Sequence, residues 1–274
     1  MRHILIIFSI FLFSFIYISC SKSSGDGSKS TVNTTTTSTG LFVSVGQSGT
    51  ILTSPDGTTW TSGTSGTKNN LNGVTYGNNT FVTVGKSGTI LTSPDGTSWT
   101  KRTSGISISL REVTYGSGLF VTVGTSGTIL TSLDGTSWTE RTSGISKHLN
   151  EVTYGNSIFV TVGQSGTVLT SSDGTTWTSR TSGTTEDLYG GVTYGNSIFV
   201  TVDSSGTILT SSDGTTWTVR ITGTWRDLKE VTYGNGLFVT VGNLGIIYTS
   251  SDGTSWTTRT TGTSNHLGGV TYSQ

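Results

Sequence analysis

Glu112, Glu151 and Glu230 occupy one slot of a recurring frame, each set between a polar residue and the run Val-Thr-Tyr-Gly. Carboxylates that a repeat gathers in one place can hold a hard cation, grip an amine on a sugar, or divide into an acid and a base for glycan chemistry. The same slot is Gly73, Gly191 and Gly269 in the other copies. The plainer reading is three solvated charges offset by their neighbours Arg111 and Lys229. Trp225 is the one tryptophan outside a second recurring motif, and it is flanked by Arg226 and Asp227. Tryptophan and arginine dominate binding hot spots, so this triplet is a candidate contact; ordinary packing is the alternative. His148 and His266 stand in different repeats without a partner motif, and Cys20 is the only cysteine, so no metal site, disulfide or cofactor is expected. Gly-x-Ser-x-Gly, His-Glu-x-x-His and phosphate-loop patterns are missing, and no catalytic residue is assigned.

The elements that would position these residues repeat along the chain. Six boxes of the type Ser93-Pro94-Asp95-Gly96-Thr97-Ser98-Trp99 carry Asp56, Asp95, Asp134, Asp173, Asp213 and Asp252. Their tryptophans, Trp60, Trp99, Trp138, Trp177, Trp217 and Trp256, are 39, 39, 39, 40 and 39 residues apart, the mark of one copied supersecondary unit. Aspartate can bond the backbone beyond it and glycine accepts a left-handed conformation, so each box predicts a hairpin turn. Ser, Asp, Gly and Trp at these offsets resemble the Asp-box, or bacterial neuraminidase repeat. The family's usual form carries one more residue between Asp and Gly. The resemblance implies a structural turn in a β-propeller. It brings no activity: the arginine triad, Tyr-Glu pair and Arg-Ile-Pro motif of sialidases are not recognisable here. The repeat also resembles propeller repeats of bacterial surface proteins and, more distantly, photosystem II assembly factors, which bind other proteins.

Within residues 110–148, glycines separate four short strands: Leu110 to Gly116, Leu119 to Gly124, Thr128 to Ser132 and Trp138 to Ser143. The middle two are apolar at adjacent positions, as expected when both faces of a sheet are covered. The fourth is threonine-rich and carries Arg102, Arg141, Arg180, Arg220 or Arg259, which suits a blunted outer edge. Four-stranded antiparallel units repeated about an axis make an all-β propeller, here of six blades over residues 40–274. The first box is preceded by only two strands and the last is followed by an isolated Leu267 to Gln274. The expectation is that this C-terminal strand completes the N-terminal blade. An open solenoid is the competing architecture. Variation collects in the connections between blades and in the turns between strands two and three, which carry Gln47, Lys86, Thr125, Gln164, Asp203 and Asn243. Both sets are expected on one face, the candidate binding face, although solvent loops vary in any fold.

Charged residues are 11% of the chain and the net charge is zero, which gives no basis for nucleic-acid binding. Residues 1–19 read as a signal peptide, basic at Arg2 and apolar from Ile4 to Ile18. Tyr17-Ile18-Ser19-Cys20 resembles a bacterial lipobox, which implies lipidation at Cys20; an uncleaved anchor helix is the alternative. Residues 20–39 form a Ser/Thr-rich tether expected to be disordered. Lacking Asp after Cys20, the resemblance favours the outer membrane. The resulting expectation is an exported lipoprotein whose propeller binds an envelope protein or a glycan. The alternative is a glycan-processing enzyme using the glutamates.

Overall fold

The computed structural model describes residues 41–221 and 227–270. The signal peptide, Cys20, the tether, Trp225, Arg226 and residues 271–274 lie outside them. The described chain forms six antiparallel sheets in sequence order, each laid down strand after strand. Blade three shows the pattern: Leu110–Gly116, Leu119–Gly124, Ile129–Ser132 and Thr139–Arg141, paired in that order. The innermost strands of neighbouring blades pack side by side from blade two to blade six. The result is an all-β, six-bladed propeller.

The third and fourth strands each start one residue later than the sequence expectation, and the turns explain both; the fourth also ends at Arg141 rather than Ser143. Thr128 gives its N–H to the Thr125 carbonyl at 3.2 Å and closes the preceding turn. Trp138 gives its indole N–H to the Gly135 carbonyl at 2.9 Å, so it belongs to the box and not to the strand. Each box is held by its own side chains. In blade three, Asp134 accepts the backbone N–H groups of Thr136 and Ser137 at 2.8 and 3.0 Å, and Ser132 accepts that of Gly135 at 2.8 Å. The left-handed φ of +74° at Gly135 explains the glycine. The recurring arginines are structural as well: Nε of Arg141 donates to Thr131 Oγ1 at 2.8 Å, tying the outer strand to its neighbour.

Cohesion between blades comes from apolar side chains on both faces. Phe120, Phe159, Phe199 and Phe238 are fully buried, each worth roughly 1.5–3 kcal/mol of transfer free energy. Five such cores join blades one to two through five to six. A tyrosine closes four of these junctions beside the axis. The rings of Tyr115, Tyr154, Tyr194 and Tyr233 lie on Gly77, Gly116, Gly155 and Gly195 of the preceding blade, where an added Cβ would fall 2.1–2.2 Å from the ring.

The expected closing strand of the first blade falls largely outside the described residues. Among the described residues its sheet has three strands, Phe42–Val45, Ile51–Ser54 and Thr61–Gly63. Leu267 to Val270 carry no strand, and the rest of the expected closing strand lies outside the described residues. Leu267 nevertheless donates its N–H to the Gly242 carbonyl at 3.1 Å, as Leu71 does to Gly46 and Leu188 to Gly163 on entering the inner position.

Candidate functional site

Strand topology puts the connections between blades and the turns between strands two and three on one face. The two are joined directly: Lys86 N–H to Asn70 carbonyl at 2.9 Å, Gln164 to His148 at 2.9 Å, and Asn243 to Asp227 at 2.9 Å. The boxes lie on the opposite face, where Asn78 reaches the Leu133 carbonyl of the next blade at 3.5 Å. In the loop-face turns a non-glycine residue takes a left-handed conformation, φ +52° to +58° at Ser48, Ser87, Ser126, Ser165 and Leu244. In four of these five turns its N–H is captured by a side chain 22 residues on. Asn70 Oδ1 accepts from Ser48 at 3.1 Å, His148 Nδ1 from Ser126 at 3.0 Å, Asp187 from Ser165 at 2.7 Å, and His266 Nδ1 from Leu244 at 3.3 Å. The histidines are therefore turn caps, with the proton on Nε2. That fixed spacing between a turn and an Asn, Asp or His was the signal that could have revealed them.

Asp203 must be moved from the binding face. Its N–H bonds the Thr207 carbonyl at 3.0 Å, as Gly85 bonds Thr89, so it stands in the glycine slot of its repeat and Ser204 holds the slot of Lys86. Asp203 is fully buried and accepts the N–H groups of Ser205 and Thr207 at 2.9 and 2.8 Å. By capping Ser205 itself, it releases Asp227 from that duty. Asp227 instead accepts Lys229 Nζ at 3.0 Å and Asn243 Nδ2 at 3.1 Å. Lys229 is thus committed to Asp227 and does not offset Glu230. Lys86 is exposed on this face.

Where the inner strands start, a one-residue bulge follows the leucine, with register shifting between Leu110 and Glu112, Leu149 and Glu151, and Leu228 and Glu230. Arg111, Asn150 and Lys229 are the bulged residues, and the glutamates follow directly. Asn72 Nδ2 and Asn150 Nδ2 cross to the next blade and donate to the Leu110 and Leu188 carbonyls at 2.6 and 3.2 Å. Arg111 Nε and Asn150 Oδ1 are buried without a hydrogen-bond partner among the described residues.

The three glutamates do come together. Glu112 is 8% exposed, and Glu151 and Glu230 are half-buried. The glycines at the same slot make the room: a Cβ on Gly73 would fall 2.5 Å from Glu112 Oε1, and one on Gly191 would fall 3.3 Å from Glu230 Oε1 and 3.7 Å from Glu151 Oε2. Solvated charges paired with Arg111 and Lys229 are not what the fold produces. Burial, with repulsion from Glu230, pushes Glu112 up to about 8, against the N–H of Val113 that favours its charged form. Burial likewise raises Glu230 to about 8. Glu151 is raised well above the carboxylate range by burial and then by Glu112 and Glu230. Such a cluster holds protons at neutral pH. Among the described residues, no group of His, Cys, Asp and Glu is arranged to hold a metal ion.

Tyr189 is the residue the sequence reading passed over. The 40-residue interval from Trp177 to Trp217 is one residue longer than the others. The extra residue falls between Leu188 and Val192, and the inner strand of blade five shrinks to Val192–Gly195. Gly190 and Gly191 absorb the insertion, the latter at φ +80°. Tyr189 is left 44% exposed, its hydroxyl 3.4 Å from Gln164 Nε2. An open groove of about 1120 Å³, lined by Lys147, Ser165, Arg180, Thr184, Glu186 and Val219, lies on the same face and includes neither Tyr189 nor the three clustered glutamates.

No protein-family model matches the chain, and neither does any curated protein. Solved structures do. YCF48 bound to D1 peptide superposes with a TM-score of 0.64 at 20% identity, over 80% of this chain and 77% of that one. The fold is that of a propeller. YCF48 from Cyanidioschyzon merolae gives 0.60 at 16% identity, over 80% of both chains. The computationally designed Ika8 protein gives 0.68 at 14% identity, over 85% of this chain and 75% of that one.

Proposed function

We propose that this propeller is a protein-binding module, exported and held at the cell envelope by a lipid on Cys20, and that it binds through its loop face. The observation that carries the reading is the single break in the repeat, which sets an exposed tyrosine beside the channel mouth on a rigid scaffold. Exposed aromatics presented by loops on a rigid frame are where binding energy concentrates. Arg111, Lys229 and Asp227 add charge at the same rim, and Trp225-Arg226 belongs to the connection that leads into it. YCF48 bound to D1 peptide shares this fold and supports a peptide or protein partner over a glycan.

A glycan-processing reading keeps one observation in its favour: Glu112 and Glu230, raised to about 8, hold the proton a general acid needs. The burial of Glu112 weighs against a polysaccharide reaching it. Both readings meet in one experiment. Envelope proteins and a glycan panel are offered to the wild type and to Tyr189→Ala and Trp225→Ala variants. The binding module should lose its protein partner at least tenfold in the Tyr189→Ala variant. Equal recovery of every partner would remove the tyrosine, and hydrolysis of a glycan would replace the reading.

A further inference from the structure

The groove of about 1120 Å³ follows the outer strand of blade four, Thr178–Thr181, and reaches from Lys147 in the preceding connection to Val219 of blade five. That strand ends its sheet and pairs only with Thr167–Ser171, so its other edge is open. Arg180 Nε donates to Thr170 Oγ1 at 2.9 Å, which holds the guanidinium in place and leaves its two terminal nitrogens without a hydrogen bond among the described residues. Lys147 is exposed. Among the described residues the one ion pair joins Lys229 and Asp227, so Lys147, Arg180 and Glu186 line the groove unpaired. Two cations against one carboxylate leave it positive.

The groove one blade earlier, of about 770 Å³, has Ile108 in the slot of Lys147 and sets Glu140 beside Arg141. Its charges balance. The wall on the blade-five side is also particular to this seam. A Cβ on Gly183 would meet Val219 Cγ2 at 3.9 Å, whereas at the equivalent Gly66, Gly105, Gly144 and Gly262 nothing lies within 4 Å. Val219 fills a slot that is Ser62, Lys101, Glu140, Ser179 and Thr258 in the other blades, and it is 36% exposed. With Ile145 it gives the groove an apolar side next to the basic one.

We infer that this groove is a docking site for an extended acidic peptide, which lays its backbone along the free edge of Thr178–Thr181, sets acidic side chains on Arg180 and Lys147, and covers Val219 with an apolar one. An open strand edge offers backbone donors and acceptors to an extended segment. A guanidinium fixed at Nε presents a planar fork that matches a carboxylate. An exposed valine gains by apolar cover. The site includes neither Tyr189 nor the glutamates and stands or falls apart from the tyrosine reading.

The test offers the full chain a fluorescent pool of acetylated, amidated octapeptides built from Asp, Glu, Val, Ile and Thr, beside a pool with Asn and Gln in place of the acids. The acidic pool should bind about tenfold more tightly, with an affinity that falls as salt rises, and should slow hydrogen exchange at Thr178–Thr181. Lys147 makes no hydrogen bond or ion pair among the described residues, so Lys147→Glu leaves the fold intact and should weaken the acidic pool about tenfold. Val219→Ser should weaken it about threefold. Because Arg180 also ties its strand, Arg180→Gln is compared with Arg102→Gln, which loses the same bond in blade two. Only Arg180→Gln should lose the peptide. Equal binding of the two pools, unchanged affinity in Lys147→Glu, equal losses in the two arginine variants, or protection elsewhere on the chain would each overturn the inference. Binding of heparin without binding of the acidic pool would overturn it too, and would assign the groove to a sulfated glycan.

Discussion

Three carboxyl groups share the space that two glycines vacate at the mouth of the channel, and that arrangement gives stability a definite pH dependence. Their pKa values are raised in the folded state, to about 8 for Glu112 and Glu230. The folded chain therefore binds more protons than the unfolded chain between the ordinary value of 4.5 and about 8. Stability from these groups is complete below pH 4.5 and declines as pH rises toward 8. Urea unfolding across this range should show that decline in the wild type and a flatter profile in the combined Glu112→Gln, Glu151→Gln, Glu230→Gln variant. An unchanged slope would mean the carboxyls are ionised and solvated. The box aspartates act in the opposite sense. Backbone N–H groups hold Asp134 and Asp213 well below the ordinary 3.8, so their contribution is present above that value and is lost as pH falls below it. At this scale the slot of the glutamates was legible from spacing alone. The environment of the glutamates was not, because it depends on Gly73 and Gly191 across two seams. Asp203 was misassigned because the one-residue insertion in its repeat shifts the alignment, and a buried turn cap was read as a surface residue.

The blade is specified by local chemistry that any single repeat displays. Glycine separates the strands, Asp-Gly sets the turn, and paired apolar positions mark the two covered strands, so strand number and order could be read directly. What a repeat does not display is its contact with the next one. The tyrosine-on-glycine joint is such a contact. Gly155 ends its strand without a left-handed φ, so backbone freedom does not explain it; the ring of Tyr194 does. Gly155→Ala should therefore destabilise by about 1–3 kcal/mol through overpacking, read as a lower urea midpoint at constant slope. A neutral effect would show that the joint has slack.

Across the whole molecule, the six-blade count and the single loop face follow from the period and from where it varies. The closure of the first blade is read from sequence alone, because residues 271–274 of the expected strand lie outside the described residues. The loop face remains the surface on which the inserted Tyr189, the released Asp227 with Lys229, and the cluster of three carboxyls converge. That convergence is the central claim, and it separates the two faces of one rigid body. A photo-crosslinking side chain placed at position 189, on the loop face, is compared with one at Leu133, which is 72% exposed on the opposite face. The account predicts a discrete partner crosslinked from position 189 and not from position 133. The same products from both positions, or a partner captured from position 133 alone, would contradict it.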